Sequence, residues 1–235
     1  MMLLNDDLGV RTLVHGGQLE WVPSPSKGVD RRMLFRIGEE KARATSIVRY
    51  APHSRFPHHM HPGGEEFLVL EGTFQDETGD FPAGAYLRNP PGSGHSPRSE
   101  AGCTIFVKLW QFRDDDRERI VRRPGEGRPV ALGGGAGSSV TLFESPHETV
   151  TLEEWRPGAV LERTNPRGLE LLVLSGTFSD GQDALQRWSW LRLPAGQGVQ
   201  ARVGSEGARV WLKSAPLLHE RICPLGQAGP AVSTK

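Results

Sequence analysis

Three histidines and one glutamate are the residues of this chain best suited to carry chemistry: His59, His61, Glu65 and His95. Alternate side chains of a β-strand point to the same face, so an extended segment places His59 and His61 side by side. Pro62-Gly63-Gly64 then predicts a turn, after which Glu65 begins the next strand. A hairpin of this kind would put the carboxylate across from the two imidazoles.

His95 is distant from this group in sequence and follows a second turn, Pro90-Pro91-Gly92-Ser93-Gly94. Folding must therefore bring it to the other three. Three imidazoles and one carboxylate suit a divalent ion such as zinc, iron, manganese, nickel or cobalt, and the lack of a thiolate argues against a soft metal. Paired histidines are also common on protein surfaces, so their spacing alone leaves both interpretations open.

Short apolar runs separated by turn residues dominate the rest of the chain, which contains 29 glycines and 18 prolines. Such runs at short intervals favour an all-β sandwich or barrel. They include 44–50, 66–70, 86–88, 104–112, 150–155, 169–174, 189–193 and 208–213. Residues 114–122 could form a short charged helix or a solvated linker, and the pattern does not choose between them.

An internal repeat is the main organisational signal. The segment Pro62–Phe74 is similar to Pro166–Phe178, and Leu87–Gly94 is similar to Leu191–Gly198, both at an offset of 104 residues. An ungapped offset over two separate blocks indicates two copies of one β unit.

A stretch rich in glycine and proline, between Arg119 and Ser139, separates the two copies. The predicted division is a first unit at 1–120, a linker at 121–138 and a second unit at 139–235.

The second copy lacks all four candidate ligands. At the same offset the corresponding residues are Arg163, Asn165, Leu169 and Val199. Leucine and valine cannot coordinate a metal, and an arginine would repel one. We therefore expect one metal ion per chain, in the first unit. The second unit would be a structural partner that covers the first or, alternatively, a pocket in which Arg163 binds an anion.

The spacing of the candidate ligands resembles the two signature motifs of the cupin superfamily. The motifs read His59-x-His61-x3-Glu65-x6-Gly72 and Gly84-x5-Pro90-x-Gly92-x2-His95. The residues around them, such as Gly63-Gly64-Glu65-Glu66 and Val107-Lys108-Leu109, are similar to ChrR-type cupins. This resemblance implies two tandem cupin barrels, each a double-stranded β-helix or jelly roll. It also implies that His59, His61, Glu65 and His95 bind the metal, which is zinc in that relative; iron or nickel would also be compatible.

The resemblance leaves the function open between two classes. ChrR anti-sigma factors respond to singlet oxygen, but the short lead before the first cupin has no cysteine and does not resemble their N-terminal zinc-binding domain, so we do not expect a direct anti-sigma role. A sensor or regulatory small-molecule binder is one expectation. The alternative is a metal-dependent dioxygenase acting on a diketone or hydroxyacetophenone, with Phe56, Phe67, Val69 and Phe106 lining its site. The sequence identifies no separate catalytic residue.

Composition argues against several other classes. The 28 basic and 28 acidic residues balance, which disfavours binding to nucleic acid or to an anionic membrane surface. Two cysteines, Cys103 and Cys223, are too few for a disulfide scaffold, and no apolar run is long enough to span a membrane. With no secretory signal apparent, we expect a cytoplasmic protein whose partners are a small-molecule ligand or oxidant and, in a homodimer, a second copy of the chain.

Overall fold

The computed structural model describes residues 1–181 and 183–225, and these residues form β-strands, turns and two short 3-10 helices, Gly16–Gln18 and Gly133–Gly135. The strands are β1 (Leu3–Leu4), β2 (Thr12–His15), β3 (Val22–Pro23), β4 (Val29–Gly38), β5 (Ala42–Tyr50), β6 (Ser54–Arg55), β7 (His59–His61), β8 (Glu65–Asp76), β9 (Gly79–Pro82), β10 (Tyr86–Asn89), β11 (Ser93–His95), β12 (Arg98–Ser99), β13 (Cys103–Leu109), β14 (Ile120–Arg122), β15 (Val130–Ala131), β16 (Gly137–Glu144), β17 (Thr149–Trp155), β18 (Val160–Arg163), β19 (Gly168–Ser179), β20 (Ala184–Leu185), β21 (Ser189–Pro194) and β22 (Val199–Ser214). The all-β prediction is confirmed for this part of the chain.

Two large antiparallel sheets build two tandem barrels. The first has the strand order β1-β4-β5-β13-β8-β10-β14, and the second has the order β15-β16-β17-β22-β19-β21-β2. Shorter strands complete each barrel, among them the two-stranded ribbon of β7 and β11 in the first and β18 beside β22 in the second. This is the architecture of a tandem jelly roll, as predicted.

The strand registers confirm the internal repeat. His59 lies opposite His95 in the β7–β11 ribbon, and Arg163 lies opposite Val199 in the β18–β22 pair. Both members of the second pair follow those of the first by 104 residues. The two copies therefore share strand pairing as well as sequence, although their side chains differ.

The segment before the first barrel contributes a strand to the second barrel, and the segment before the second barrel contributes a strand to the first. Strand β2 pairs with β21 of the second barrel, and β14 pairs with β10 of the first.

Residues 114–119 form turns and irregular structure, so the helical alternative for that segment is wrong. The boundaries at 120 and 138 stay predictions, and residues 226–235 of the expected second unit lie outside the described residues.

Three hydrophobic cores follow from the alternation of side chains along the strands. In β8, Phe67 and Val69 point into the first barrel, whereas Leu68 points to a core shared with the second barrel. The shared core includes Trp190 and Trp211, both almost fully buried. The second barrel thus covers one outer face of the first, and a third core fills the interior of the second barrel.

Candidate metal centre

The ribbon formed by β7 and β11 positions the histidines. His59 and His95 face each other across it, with His61 on the same strand as His59. A turn then leads to Glu65, the first residue of β8. Gly64 permits this turn because its φ is +77° and because a side chain there would lie 2.5 Å from the ring of Phe112. The predicted turn therefore places the carboxylate beside the ribbon.

The three imidazoles form a compact group of possible ligands. One ring nitrogen from each of His59, His61 and His95 lies within 4.8 Å of the other two. The Nε2 atoms of His61 and His95 are 3.1 Å apart. Oε2 of Glu65 lies 3.5 Å from Nε2 of His61 and 3.4 Å from Nε2 of His95. The structure thus brings the four residues predicted from the sequence to one place, although the compact group itself comprises the three histidines.

These distances fit one metal ion. For bonds of about 2.0–2.1 Å to imidazole nitrogen, neighbouring donor atoms around one ion lie roughly 3.0–3.4 Å apart. The donor atoms of His61, His95 and Glu65 have separations of 3.1–3.5 Å. His61, His95 and Glu65 are buried, whereas His59 is exposed at the edge of the group. The donor set therefore suits a divalent cation that is reached from one open side.

Hydrogen bonds orient two of the imidazoles with Nε2 toward the site. Nδ1 of His59 donates to the carbonyl oxygen of Pro57 at 3.1 Å, because a carbonyl can only accept. Nδ1 of His95 lies 3.3 Å from Oδ2 of Asp76. A carboxylate that accepts from the far nitrogen of a metal-binding histidine fixes its tautomer and strengthens it as a ligand.

Asp76 is a site residue that reasoning from the sequence missed. It lies on β8, eleven residues after Glu65, so simple alternation predicts opposite faces for the two residues. The alternation is broken near Leu70, however, because the register of β8 against β13 shifts between Val69 and Glu71. The shift makes Phe74 and Asp76 buried neighbours of His95, so only the folded strand shows where they point.

The electrostatic environment differs between the two buried histidines. Burial lowers the pKa of His61 more than the nearby carboxylate of Glu65 raises it. Burial also opposes a charge on His95, but the hydrogen bond to Asp76 and the nearby carboxylates of Glu65 and Asp76 together outweigh it and raise the pKa of His95. Burial alone would raise the pKa of Asp76, yet hydrogen bonds from His95 and Thr78 lower it. Asp76 is therefore held as a carboxylate beside His95.

Glu65 is held in place by an amide. Nδ2 of Asn89, from β10, donates to Oε2 of Glu65 at 3.2 Å, and both residues are buried. Asn89 lies directly opposite Glu65 in the register of β8 and β10. The carboxylate thus has a fixed orientation toward the imidazoles.

A cavity of about 510 Å³ opens beside the imidazoles, and His59, His61 and Glu65 form part of its wall. Of the four residues expected to line it, Phe56 does so, whereas Phe67 and Val69 belong to the packed core of the first barrel. Phe106 points to the shared core instead and packs against Trp211. The expectation for Phe106 was wrong because its neighbours Ile105 and Val107 occupy the inward-facing positions of β13.

The second barrel has no comparable group of ligands within the described residues. Arg163 donates from Nη2 to Oε2 of Glu153 at 2.6 Å, so its charge is paired. Asn165 is buried and stabilises a turn, accepting a hydrogen bond from the backbone N–H of Gly168. Leu169 and Val199 are packed in the interior core. These contacts also leave Arg163 poorly suited to bind an anion.

The fold and the histidine group together define the class of protein: this chain has a tandem cupin (jelly-roll) fold with a candidate metal centre in its first barrel. More particularly, residues 10–113, which include the candidate ligands, match the family model of the ChrR cupin-like domain. No curated protein matches the chain in sequence.

Solved structures with the same fold cover nearly the whole chain. A proposed dioxygenase from Nostoc punctiforme is 12% identical, with a TM-score of 0.70 over 94% of this chain and 85% of that one. A bacterial pirin from Escherichia coli in complex with nickel(II) is 14% identical, with a TM-score of 0.65 over 88% and 99% of the two chains. A cupin 2 conserved barrel domain protein from Leptotrichia buccalis is 14% identical, with a TM-score of 0.57 over 87% and 96%. At this level of identity, the similarity establishes the fold.

The described residues contain no helix with the length and apolar character required to cross a membrane.

Proposed function

We propose that the first barrel binds one divalent metal ion through His59, His61, His95 and Glu65, and that the adjacent cavity binds a small molecule as part of a sensor or regulatory function. The convergence of three imidazole nitrogens within 4.8 Å of one another carries this proposal. Zinc is the first expectation, because nitrogen and oxygen donors without a thiolate suit it and because the ChrR resemblance implies it.

The surroundings of the site support small-molecule binding. A cavity of about 510 Å³ lies within the range of sites that bury small organic ligands. Its wall combines the exposed edge of His59 with apolar side chains such as Val48 and Ile105. A ligand in this cavity would therefore lie beside the metal ligands while its body contacts the apolar wall.

A metal-dependent dioxygenase acting on a small diketone or hydroxyacetophenone is the second candidate. The open side of the histidine group favours it, because the group adjoins the cavity through His59 and His61. Iron(II) held by such ligands would supply open coordination positions for oxygen and substrate. In this chain, Asp76 and Asn89 would hold His95 and Glu65 in place, and the apolar wall would limit access of water.

Metal analysis of the purified protein tests the site. The protein is prepared without a histidine tag or chelator, and its metal content is measured by mass spectrometry beside that of a His61→Ala/His95→Ala variant. We expect about one metal ion per wild-type chain and almost none in the variant, because both buried imidazoles are lost. Replacement of the exposed neighbour His58 by alanine is the matched control and should leave one metal per chain.

The identity and reactivity of the metal distinguish the two candidate functions. Tightly held zinc without turnover supports the binding function, whereas iron with oxygen consumption on diketone or acetophenone substrates supports the dioxygenase. One metal per chain in the double variant would contradict the assignment of the ligands.

A further inference from the structure

Arg31 faces the cavity of the first barrel and is not one of the proposed metal ligands. It lies opposite Val48 in the register of β4 and β5, and Val48 lies opposite Ile105 in β13. Residues directly opposite in antiparallel strands share a face of the sheet. Since Val48 and Ile105 belong to the core inside the first barrel, Arg31 points inward and lines the same cavity as His59 and His61.

The hydrogen-bonding capacity of Arg31 is incompletely used. Nη1 and Nη2 lie 3.3 and 3.4 Å from the carboxylate oxygens of Glu40, which is long compared with the roughly 2.7–2.9 Å of strong charge-assisted bonds. Nε is buried and lacks a hydrogen-bond partner among the described residues. The side chain of Arg31 is 17% exposed, whereas that of Glu40 is 65% exposed. Glu40 is thus a weakly held partner that a ligand could replace.

A second guanidinium, that of Arg36, lies behind this part of the wall without lining the cavity, and its charge makes the surroundings of Arg31 more favourable for an anion. After burial, repulsion from Arg31 is the largest influence that lowers the pKa of Arg36. The N–H groups of Arg36 donate to the backbone oxygens of Gly38 and Glu39. Its positive charge therefore adds to that of Arg31 near the exposed carboxylate of Glu40.

The remaining wall is largely apolar and includes Val29, Val48, Phe56, Ile105 and Leu109. From this combination we infer that the cavity takes a small molecule with an apolar body and a carboxylate, and that Arg31 binds the carboxylate. This inference rests on the proposed function, because the ligand occupies the cavity beside the metal ligands. Arg31 then determines the specificity for acids over their neutral analogues.

Isothermal titration calorimetry with 3-phenylpropanoate and its neutral analogue 3-phenylpropanol tests the inference, with the metal content of each sample measured in parallel. We expect the wild type to bind the acid about tenfold or more tightly than the alcohol, because a charge-assisted pair is gained. Arg31→Gln should remove this preference and change the affinity for the alcohol less than about twofold. Glu40→Gln should tighten acid binding severalfold, because it removes the competing carboxylate.

Arg49→Gln is the matched control, since Arg49 lies on β5, is 47% exposed and is paired with Asp30. It should keep the preference for the acid. Equal binding of acid and alcohol to the wild type, or no binding of either, would overturn the inference. So would a preference that survives Arg31→Gln but is lost in His61→Ala/His95→Ala, because the metal site would then bind the carboxylate.

Failure of the proposed function is visible separately in this experiment. An acid preference that depends on Arg31 in a protein without stoichiometric metal would support the inference and contradict the metal assignment. If Arg31→Gln fails to fold, two other results still test the inference. A wild-type protein that prefers the alcohol would refute it, and so would weaker binding of the acid by Glu40→Gln than by the wild type.

Discussion

Lys213 of the second barrel donates a hydrogen bond to Glu66 of the first at 2.6 Å, and both side chains are buried. The reciprocal pair joins Lys108 of the first barrel to Glu170 of the second at 2.7 Å. Glu66 and Glu170 are equivalent positions of the repeat. Lys108 and Lys213 are equivalent as well, because each lies directly opposite the glutamate of its own barrel, Lys108 opposite Glu66 and Lys213 opposite Glu170. The two barrels therefore meet through corresponding surfaces, in the manner of a two-fold symmetric dimer joined into one chain.

Breaking one of these crossed pairs should destabilise the whole chain. Lys213→Met leaves the carboxylates of Glu66 and Glu148 buried without their ammonium partner. Loss of one partner of a buried pair costs about 3–5 kcal/mol. Equilibrium unfolding in urea measures this change in the free energy of unfolding.

The control for this substitution is Arg49→Gln, which removes an exposed pair with Asp30 and should cost less than about 1 kcal/mol. Equal losses for Lys213→Met and Arg49→Gln would show that the buried pair does not stabilise the contact between barrels.

Glu148 should make stability depend on pH in the acidic range. Its burial opposes ionisation, but Lys213, His219 and Arg88 outweigh this and hold its pKa well below the ordinary value of 4.5. A depressed folded-state pKa contributes stability that is present above about pH 4.5 and is lost as the pH falls toward the folded value. Glu148→Gln should therefore be less stable than the wild type at pH 7, with the difference narrowing below pH 4.5.

Urea unfolding at several pH values between about 7 and 3 checks this dependence. Glu118→Gln, at an exposed position, should follow the wild type throughout. A stability difference between Glu148→Gln and the wild type that widens as the pH falls would reverse the predicted sign.

Gly72 should resist replacement more strongly than Gly92, although both glycines have a positive φ. Its φ is +69°, and a Cβ there would lie 2.2 Å from the backbone oxygen of Gly102. Gly92 has a φ of +84° but has no atom within 4 Å of such a Cβ. We expect Gly92→Ala to cost about 1–2 kcal/mol from backbone conformation alone, and Gly72→Ala to cost a further 1–3 kcal/mol or so from the clash. Thermal unfolding of the two variants compares them, and similar losses would rule out the clash.

Asp76→Asn should weaken metal binding without removing a ligand. The asparagine keeps the shape of the side chain but loses the charge beside Nδ1 of His95. Loss of such a partner typically lowers metal affinity about 10–100-fold. Competition with a metal chelator gives the affinity, and Asp80→Asn, at an exposed position, should leave it unchanged. An unaltered affinity in Asp76→Asn would show that His95 is oriented by other contacts.

The spacing of residues was enough to identify the candidate ligands and the repeat. His59 and His61 share a face because alternate residues of a strand do so, and the glycines after them permit the turn to Glu65. The offset of 104 residues between the copies predicts equivalent strand pairings, which the registers of His59 and Arg163 confirm. These features depend on local geometry, which the order of residues along the chain determines.

The tertiary structure alone decided which distant residues support the site and join the barrels. The irregularity of β8 near Leu70 turns Asp76 toward His95, against the expectation from simple alternation. Glu66 is adjacent to a predicted ligand, yet it binds Lys213 of the other barrel because it lies on the opposite face of the strand. Arg31 is placed on the cavity wall by its pairing with β5. Such contacts depend on strand register and barrel packing between segments far apart in the chain, which local residue patterns do not specify.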